Sequence, residues 1–534
     1  MRLQTRLLSL ATLMYFLGSA CSAATITGTV KGADGAPFQG AFVEAQNAKT
    51  RITMIVLSDS HGQYRMEKLP AGEYRLQIRA VGLRTDPRTG VNLTADQNVS
   101  YDFALQKGIV RWNDISFYQA RQLWPTGRGE DLLVRDCSTC HLFQTRMASV
   151  TRDADGWRDR VEYMRTTMHV GRLTEQDASD IASYLTSLFG PESVLPKSPA
   201  DMPKYQDTVR PFSSDALNIV YVEYDMPGPS RMPFSAAPDK DGYLWIPDFG
   251  VANKITRLDP KTGEMQDFPV PNIGTAAVHS AVPAADGSVW LTEQAANKIG
   301  RWDPNTKEIT EYQDAYVPGK EGTGGGGSKH TVRLDPSGNV WASGSPLTKF
   351  DPETRKFTRF EEVKSSYDVK PDKNGDVWFT TGFGGNQIGK VDGKTMKVTE
   401  WTMPTEKSYP RRMEIAPDGM IWVGEFSGGK MARFDPATQT FKEYPLPGPE
   451  PTPYSLGFDA DGYLWYDSHH MDVLGRFDTK TGKVVEYPVP HSEIAMREFF
   501  RDDQGRMWYG TNPNNKVGYF YLTSKNDRTK SAGK

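Results

Sequence analysis

A turn glycine followed shortly by a tryptophan recurs down the second half of the chain. The unit Asp241-Gly242-Tyr243-Leu244-Trp245 is the first, and its counterparts end at Trp290, Trp341, Trp378, Trp422, Trp465 and Trp508. The spacings are 45, 51, 37, 44, 43 and 43 residues, and each unit reads as short strands. Seven strand-rich units of this length predict a seven-bladed β-propeller, because one unit alone cannot bury its apolar faces. A second periodic signal runs in step. A charged residue precedes an aromatic at Glu223-Tyr224, Asp267-Phe268, Glu311-Tyr312, Arg359-Phe360, Glu400-Trp401, Glu443-Tyr444 and Glu486-Tyr487. The first of these pairs comes before the first tryptophan unit, and none follows the last. Glu223-Tyr224 is therefore expected to complete the blade of Trp508, closing the ring and leaving no free sheet edge.

The propeller, residues 216–522, leaves room for more domains in 534 residues. With 38% hydrophobic and 24% charged residues, the chain is not a membrane-embedded transporter. Its net charge of -3 does not suit a dedicated nucleic-acid binder. Three cysteines cannot build a disulfide framework. Residues 1–23 read as a secretory signal: Arg2 and Arg6, an apolar run from Leu7 to Leu17, then small residues with cleavage after Ala23. Lipidation at Cys21 is the alternative. The expectation is Sec export to the periplasm of a Gram-negative bacterium, with no transmembrane segment in the mature chain.

Residues 24–107 alternate apolar and polar in Ile26-Thr27-Gly28-Thr29-Val30 and Tyr74-Arg75-Leu76-Gln77-Ile78, with turns at Asp34-Gly35, His61-Gly62 and Pro70-Ala71-Gly72. The expected fold is an antiparallel β-sandwich. With Gly40-Ala41-Phe42-Val43, Asp59-Ser60-His61-Gly62-Gln63-Tyr64 and Leu69-Pro70-Ala71-Gly72-Glu73-Tyr74, the segment resembles the carboxypeptidase regulatory-like family. That resemblance implies a spacer or docking module.

Residues 108–190 turn helical and carry Cys137-Ser138-Thr139-Cys140-His141. C-x-x-C-H is the attachment signature of c-type haem: two thiols bond the vinyl groups and the adjacent imidazole reaches the iron. A zinc site would need more ligands, and a thioredoxin-like pair would need a βαβ setting. One covalent haem c is expected, on Cys137 and Cys140, with His141 as an iron ligand. Ile181, Tyr184, Leu185, Leu188 and Phe189 form an apolar helical stripe, capped by Thr174 and stopped at Gly190-Pro191. This helix resembles the last helix of small cytochromes c. In those domains a tryptophan followed seven residues later by methionine marks the sixth ligand, which here implies Met164 after Trp157. Met168 is the second choice, with His169 or an open position behind it. Residues 191–215, punctuated by five prolines, read as a linker, and 523–534 as a disordered tail.

The propeller segment resembles the streptogramin B lyase (virginiamycin B lyase) family, on Asp286-Gly287-Ser288-Val289-Trp290-Leu291-Thr292-Glu293, Asn297-Lys298-Ile299-Gly300-Arg301 and Val485-Glu486-Tyr487-Pro488-Val489-Pro490. Such residues build every blade, so function must be sought where the repeats differ. Eleven residues before each tryptophan stand Phe234, His279, His330, Tyr367, Arg411, Tyr454 and Arg497. Symmetry predicts one ring of these seven around the central channel. Asp248, Glu293, Gly344, Thr381, Glu425, Ser468 and Thr511, three residues after each tryptophan, are expected in a second layer at the same mouth.

The lyase resemblance implies a histidine base and a magnesium ion held by acidic residues. His279, with Glu293 fourteen residues on, matches the base and glutamate, and His330 matches the other mouth histidine. The family's glutamate two residues before the histidine is replaced by Ala277 and Ser328, which removes a magnesium ligand. Arg411 and Arg497, with Phe234, Tyr367 and Tyr454, are then expected to hold an anionic or aromatic small molecule by charge-assisted hydrogen bonds and stacking. The glycine-rich stretch Gly322–Ser328 accounts for the longest repeat and reads as a lid or a passive loop.

Three functions fit. The first is a periplasmic haem c oxidoreductase whose propeller binds substrate and whose electron partner is another cytochrome or a quinoprotein. The second is a carbon–oxygen lyase opening a cyclic ester by elimination, with His279 as base. The third is a non-catalytic electron-transfer and docking protein. A quinoprotein reading fares worse, since the repeats number seven rather than eight and no cysteine is spare.

Overall fold

The structure is a computed structural model that describes residues 23–138, 141–166, 173–229, 231–272, 274–314, 328–382 and 385–523. Cys140, Met168, His169 and Gly322 to Gly327 lie outside the described residues, as do residues 1–22 and the tail beyond Thr523.

The repeated turn has a physical cause. In the Trp245 repeat, Asp239 lies six residues before the tryptophan; its Oδ1 accepts the backbone N–H of Tyr243 at 3.0 Å and its Oδ2 accepts Trp245 Nε1 at 2.9 Å. Gly242 takes φ +86° between them, a left-handed conformation that favours glycine. Asp335, Asp459 and Asp502 serve Trp341, Trp465 and Trp508 in the same way. One aspartate thus fixes both the hairpin and the indole. The indole then packs across to the next repeat. Ring centroids are 4.5 Å apart for Trp245 and Trp302, 5.9 Å for Trp290 and Phe350, 5.5 Å for Trp422 and Phe477, and 4.8 Å for Trp465 and Phe520. Such pairs contribute about 0.5–1.5 kcal/mol each beyond burial, so the tryptophans weld neighbouring blades.

Among the described residues, six separate four-stranded antiparallel sheets run in order from Ala237 to Pro488. A seventh combines Phe500–Arg501, Met507–Thr511 and Lys516–Leu522 with Ile219–Asp225, which pairs antiparallel to Lys516–Leu522 with Glu223 opposite Gly518. The Glu223-Tyr224 strand closes the ring, as the repeat order predicts.

The N-terminal β domain packs two larger sheets, with a two-stranded ribbon of Leu83–Arg84 and Gln106–Lys107 beside them, around one core that includes Ile26, Val43, Met66, Leu76 and Val91. His61 is an exposed turn residue whose backbone N–H donates to Asp59. This domain is not a free-standing module. Its Ile52–Leu57 strand pairs antiparallel with the outer edge of Ile219–Asp225, so four of its strands and the closing blade form one eight-stranded sheet. Buried His491 cements the junction: Nε2 donates to Glu223 Oε2 at 2.6 Å, and Arg79 of the sandwich meets Nδ1.

Between sandwich and propeller, helices Phe117–Leu123, Arg128–Leu132, Ala154–Thr166 and Glu175–Phe189 share a core of Phe117, Trp124, Phe143, Trp157, Ile181 and Leu185. Thr174 caps the last helix in a capping box with Asp177, and Gly190 ends it. The proline-punctuated stretch read as a linker is not loose. Tyr205 is buried in the helical core, Trp112 Nε1 donates to the Pro196 carbonyl at 2.8 Å, and Pro199–Asp201 and Tyr205–Thr208 are short helices. Prolines there fix a packed path rather than a spacer.

Candidate functional site at the propeller mouth

All seven residues expected in the ring meet around the channel. Ring centroids are 4.8 Å apart for Phe234 and His279, 3.7 Å for His279 and His330, and 4.3 Å for His330 and Tyr367. The Tyr367 and Tyr454 hydroxyls are hydrogen-bonded to each other. The Arg411 guanidinium lies 4.7 Å from the Tyr454 ring centre, and that of Arg497 lies 4.8 Å from Tyr454 and 5.5 Å from Phe234. Each of the seven is buried. His330 Nδ1 donates to the Tyr367 carbonyl at 2.8 Å, leaving Nε2 without the proton. Burial, then neighbouring positive groups, hold both histidines well below the usual imidazole range, so both are neutral.

The second layer is only partly a mouth feature. Glu293 lies opposite Val278, not His279, and its carboxylate faces Glu311 within its own blade. Burial, reinforced by Glu311, pushes it up to about 8. The reason is strand alternation: neighbours along a strand point to opposite faces, so the sequence step that looked like a base-and-glutamate pair does not place Glu293 against the His279 ring. Asp248 is likewise spent on a buried ion pair with Arg231, and Thr381 and Thr511 donate to backbone carbonyls of their own hairpins. Gly344 is glycine for a steric reason, because a Cβ there would fall 1.8 Å from the Ser328 carbonyl oxygen.

The helical segment sits on the mouth side, over the Trp465 blade. Glu493 holds it: Oε1 accepts the backbone N–H of Leu142 at 2.9 Å, and Oε2 accepts the N–H and hydroxyl of Thr145, both at 2.7 Å. Gln144 Nε2 donates to Asp472 Oδ2 at 3.2 Å, and Asp472 in turn accepts the backbone N–H groups of Glu493 and Ile494. Tyr118 N–H donates to the His470 carbonyl, and the Phe117 ring stands edge-on to His470 at 4.7 Å.

Leu142, Gln144 and Thr145, just beyond the C-x-x-C-H motif, are thus held against the propeller. Cys137 ends the Leu133–Cys137 helical turn and is partly exposed. His141 Nδ1 donates to the Leu142 carbonyl at 2.8 Å, so Nε2 carries the lone pair. Desolvation, followed by the charge of Arg146, pushes this imidazole down to about 3. Arg497 also acts electrostatically on His141. Met164 lies half-buried on the Ala154–Thr166 helix, one turn beyond buried Val161 and two beyond buried Trp157. Its distance from Trp157 in sequence is all that marks it.

Sequence reasoning missed His469 and His470. Both are buried at the mouth-side turn after the Trp465 strand, and His470 Nδ1 donates to Glu450 at 2.8 Å. The signal was present one register further on: four residues after each tryptophan, Phe249, Phe426 and His469 replace the small or polar residues of the other repeats.

Comparison with known proteins places two parts of the chain. Residues 25–106 match the carboxypeptidase regulatory-like domain, and residues 346–529 match the virginiamycin B lyase family. The helical segment lies outside both matches. Comparison with curated protein sequences found no match. Among solved structures, a streptogramin B lyase is similar at TM-score 0.52 and 23% identity, over 58% of this chain and 100% of that one. The selenomethionine-substituted virginiamycin B lyase of Staphylococcus aureus gives 0.51 and 23%, over 57% of this chain and 100% of its own. A catalytically inactive variant of the same enzyme with quinupristin gives the same values. The chain therefore carries a virginiamycin B lyase-like propeller, joined at its closing blade to a carboxypeptidase regulatory-like domain.

Proposed function

We propose that the chain is an exported haem c electron-transfer oxidoreductase in which the helical segment caps a propeller mouth that binds a small molecule. The observation that carries this reading is the Glu493 clasp, which fixes Leu142 and Thr145, the residues just beyond the C-x-x-C-H turn, onto the propeller. The described residues of the motif fit the group. Cys137 is partly accessible, and His141 has the tautomer of an iron ligand, with Nδ1 anchored and Nε2 bare. Cys140 and Met164 complete the proposed attachment, with Met168 or His169 the alternative sixth ligands. When bound, haem c would supply a one-electron acceptor and donor.

The chain's own residues would do the rest. The guanidinium groups of Arg411 and Arg497 would hold an anionic group in a desolvated site, where charge-assisted bonds are strong. Phe234, Tyr367 and Tyr454 would sandwich a flat apolar body. Neutral His279 and His330 would accept a proton from the bound molecule. The helical segment would exclude water from above. A partner cytochrome or quinoprotein in the periplasm would complete the electron path.

The test is a reduced-minus-oxidised spectrum of the purified full-length chain during addition of candidate substrates, without dithionite. Substrate reduction of the haem, lost in His279→Ala or His330→Ala, is the expected result. A denatured polypeptide with no covalent haem would overturn the reading.

The likeness to lyase propellers favours a second reading, elimination from a cyclic ester with His279 as base. The residues fit it less well. Glu293 is turned into its own blade, and among the described residues no three His, Cys, Asp or Glu side chains converge as a set of magnesium ligands. Ring opening of a cyclic depsipeptide by the purified chain would establish it.

A further inference from the structure

A cleft of about 470 Å³ opens between the helical segment and the propeller rim. It is lined by Arg135 from the helices and by Tyr409, Arg411, Phe426, Glu450 and His470 from the propeller. Its size admits a small organic molecule. Arg411 belongs both to this cleft and to the ring around the channel.

Two features of the cleft are built rather than incidental. The Arg411 guanidinium lies 3.6 Å above the Phe426 ring centre, which orients its plane while the side chain is 1% exposed. His470, 4% exposed, donates from Nδ1 to Glu450 Oε1 at 2.8 Å, and the same oxygen accepts Arg121 Nη1 at 2.6 Å. That chain leaves His470 Nε2 unprotonated, and the nitrogen has no hydrogen-bond partner among the described residues. A buried imidazole with one nitrogen anchored by a carboxylate and the other bare is expensive unless a ligand completes it.

We infer that this cleft binds an aromatic anion, a benzoate-like carboxylate, between the Arg411 guanidinium and His470 Nε2. One anionic oxygen accepts from Arg411. The other accepts from His470 once Nε2 has taken a proton from solution, forming an N–H bond and an imidazolium. Phe426 and Tyr409 flank the ring of the ligand. Glu450 compensates the new positive charge, against the opposing charges of Arg121, Arg411 and Arg135; His469, the remaining neighbour, is neutral. The inference deepens the proposed substrate site and rests on the mouth being a binding site, but not on the haem.

The experiment is titration calorimetry of the full-length chain with benzoate, in buffers of different ionisation heat and across a pH series. Saturable binding with uptake of about one proton is expected, with affinity falling about ten-fold per pH unit as pH rises above the range where free His470 can be protonated. His470→Gln should still bind benzoate but take up no proton. Glu450→Gln, which keeps the hydrogen bond, should take up less. Arg411→Gln should weaken binding by about ten-fold or more. Cyclohexanecarboxylate should bind more weakly than benzoate. Circular dichroism matching the unaltered chain qualifies each variant. No saturable heat, unchanged proton uptake in His470→Gln, or unchanged affinity in Arg411→Gln would each overturn the inference. The heat does not depend on electron transfer, so a failed haem titration and a failed cleft are read separately.

Discussion

Two buried arginines of the propeller show how differently one side chain can be used. Arg412 and Arg497 are each 3% exposed. Arg412 lies 3.0 Å from Asp368 and 3.5 Å from Glu498, a buried pair network. Arg497 is stacked on Tyr454 and Phe234, and its Nε and one terminal nitrogen have no hydrogen-bond partner among the described residues. Arg412→Met should therefore destabilise the fold by about 3–5 kcal/mol, because buried Asp368 loses its ion-pair partner, while Glu498 keeps Arg333. Arg497→Met should be neutral or stabilising by about 1–3 kcal/mol, because a poorly solvated charge is replaced by apolar packing. Denaturant unfolding of the two variants reads the difference. A large loss of stability in both would mean that Arg497 is structural and has no ligand to wait for.

At the scale of elements, the helical segment and the propeller meet through buried acids, so their union depends on pH. Burial pushes Asp472 from 3.8 up to about 8 and raises Glu493 above the usual carboxylate range. A raised carboxyl contributes its full stability below its unfolded pKa and loses it as pH rises through the folded value. Docking should weaken between about pH 4 and the value near 8 for Asp472, and Asp472→Asn should flatten that dependence; thermal unfolding across the range measures it. The helices themselves were legible in the sequence. The Thr174 cap, the Ile181 to Phe189 stripe and the C-x-x-C-H spacing are local patterns, decided within a few turns of chain. The docking was not legible. Glu493 is 351 residues from Leu142, and nothing in its own neighbourhood distinguishes it from a solvated glutamate. His470 was hidden for the same reason, since its role comes from Glu450, Arg121 and Phe117 on other elements.

At the scale of the molecule, periodicity made the propeller and its ring legible. A position that recurs every blade maps onto one circle by symmetry alone, which is why the ring from Phe234 to Arg497 is legible in the sequence. Side-chain direction does not follow from register so simply, and Glu293 is the example. The junction with the N-terminal domain left no periodic mark either, because the pairing of Ile52–Leu57 with Ile219–Asp225 occurs once. That pairing covers the outer edge of the closing blade. Removing residues 24–107 should bare a row of unpaired backbone groups on Ile219–Asp225 and drive self-association, visible as a concentration-dependent shift on size-exclusion chromatography. A monomeric truncated chain would show that the edge is protected by other means.

The same strand sets an order on biogenesis. Asp225 and its partner Lys516 are 291 residues apart, so a chain emerging N-terminus first holds one strand of its last blade long before the other three exist. The Ile52–Leu57 strand is made earlier and offers Ile219–Asp225 a template at once. Circularisation of the barrel-like ring is then a late, long-range event, whose slow loop closure is shortened by a seat prepared in advance.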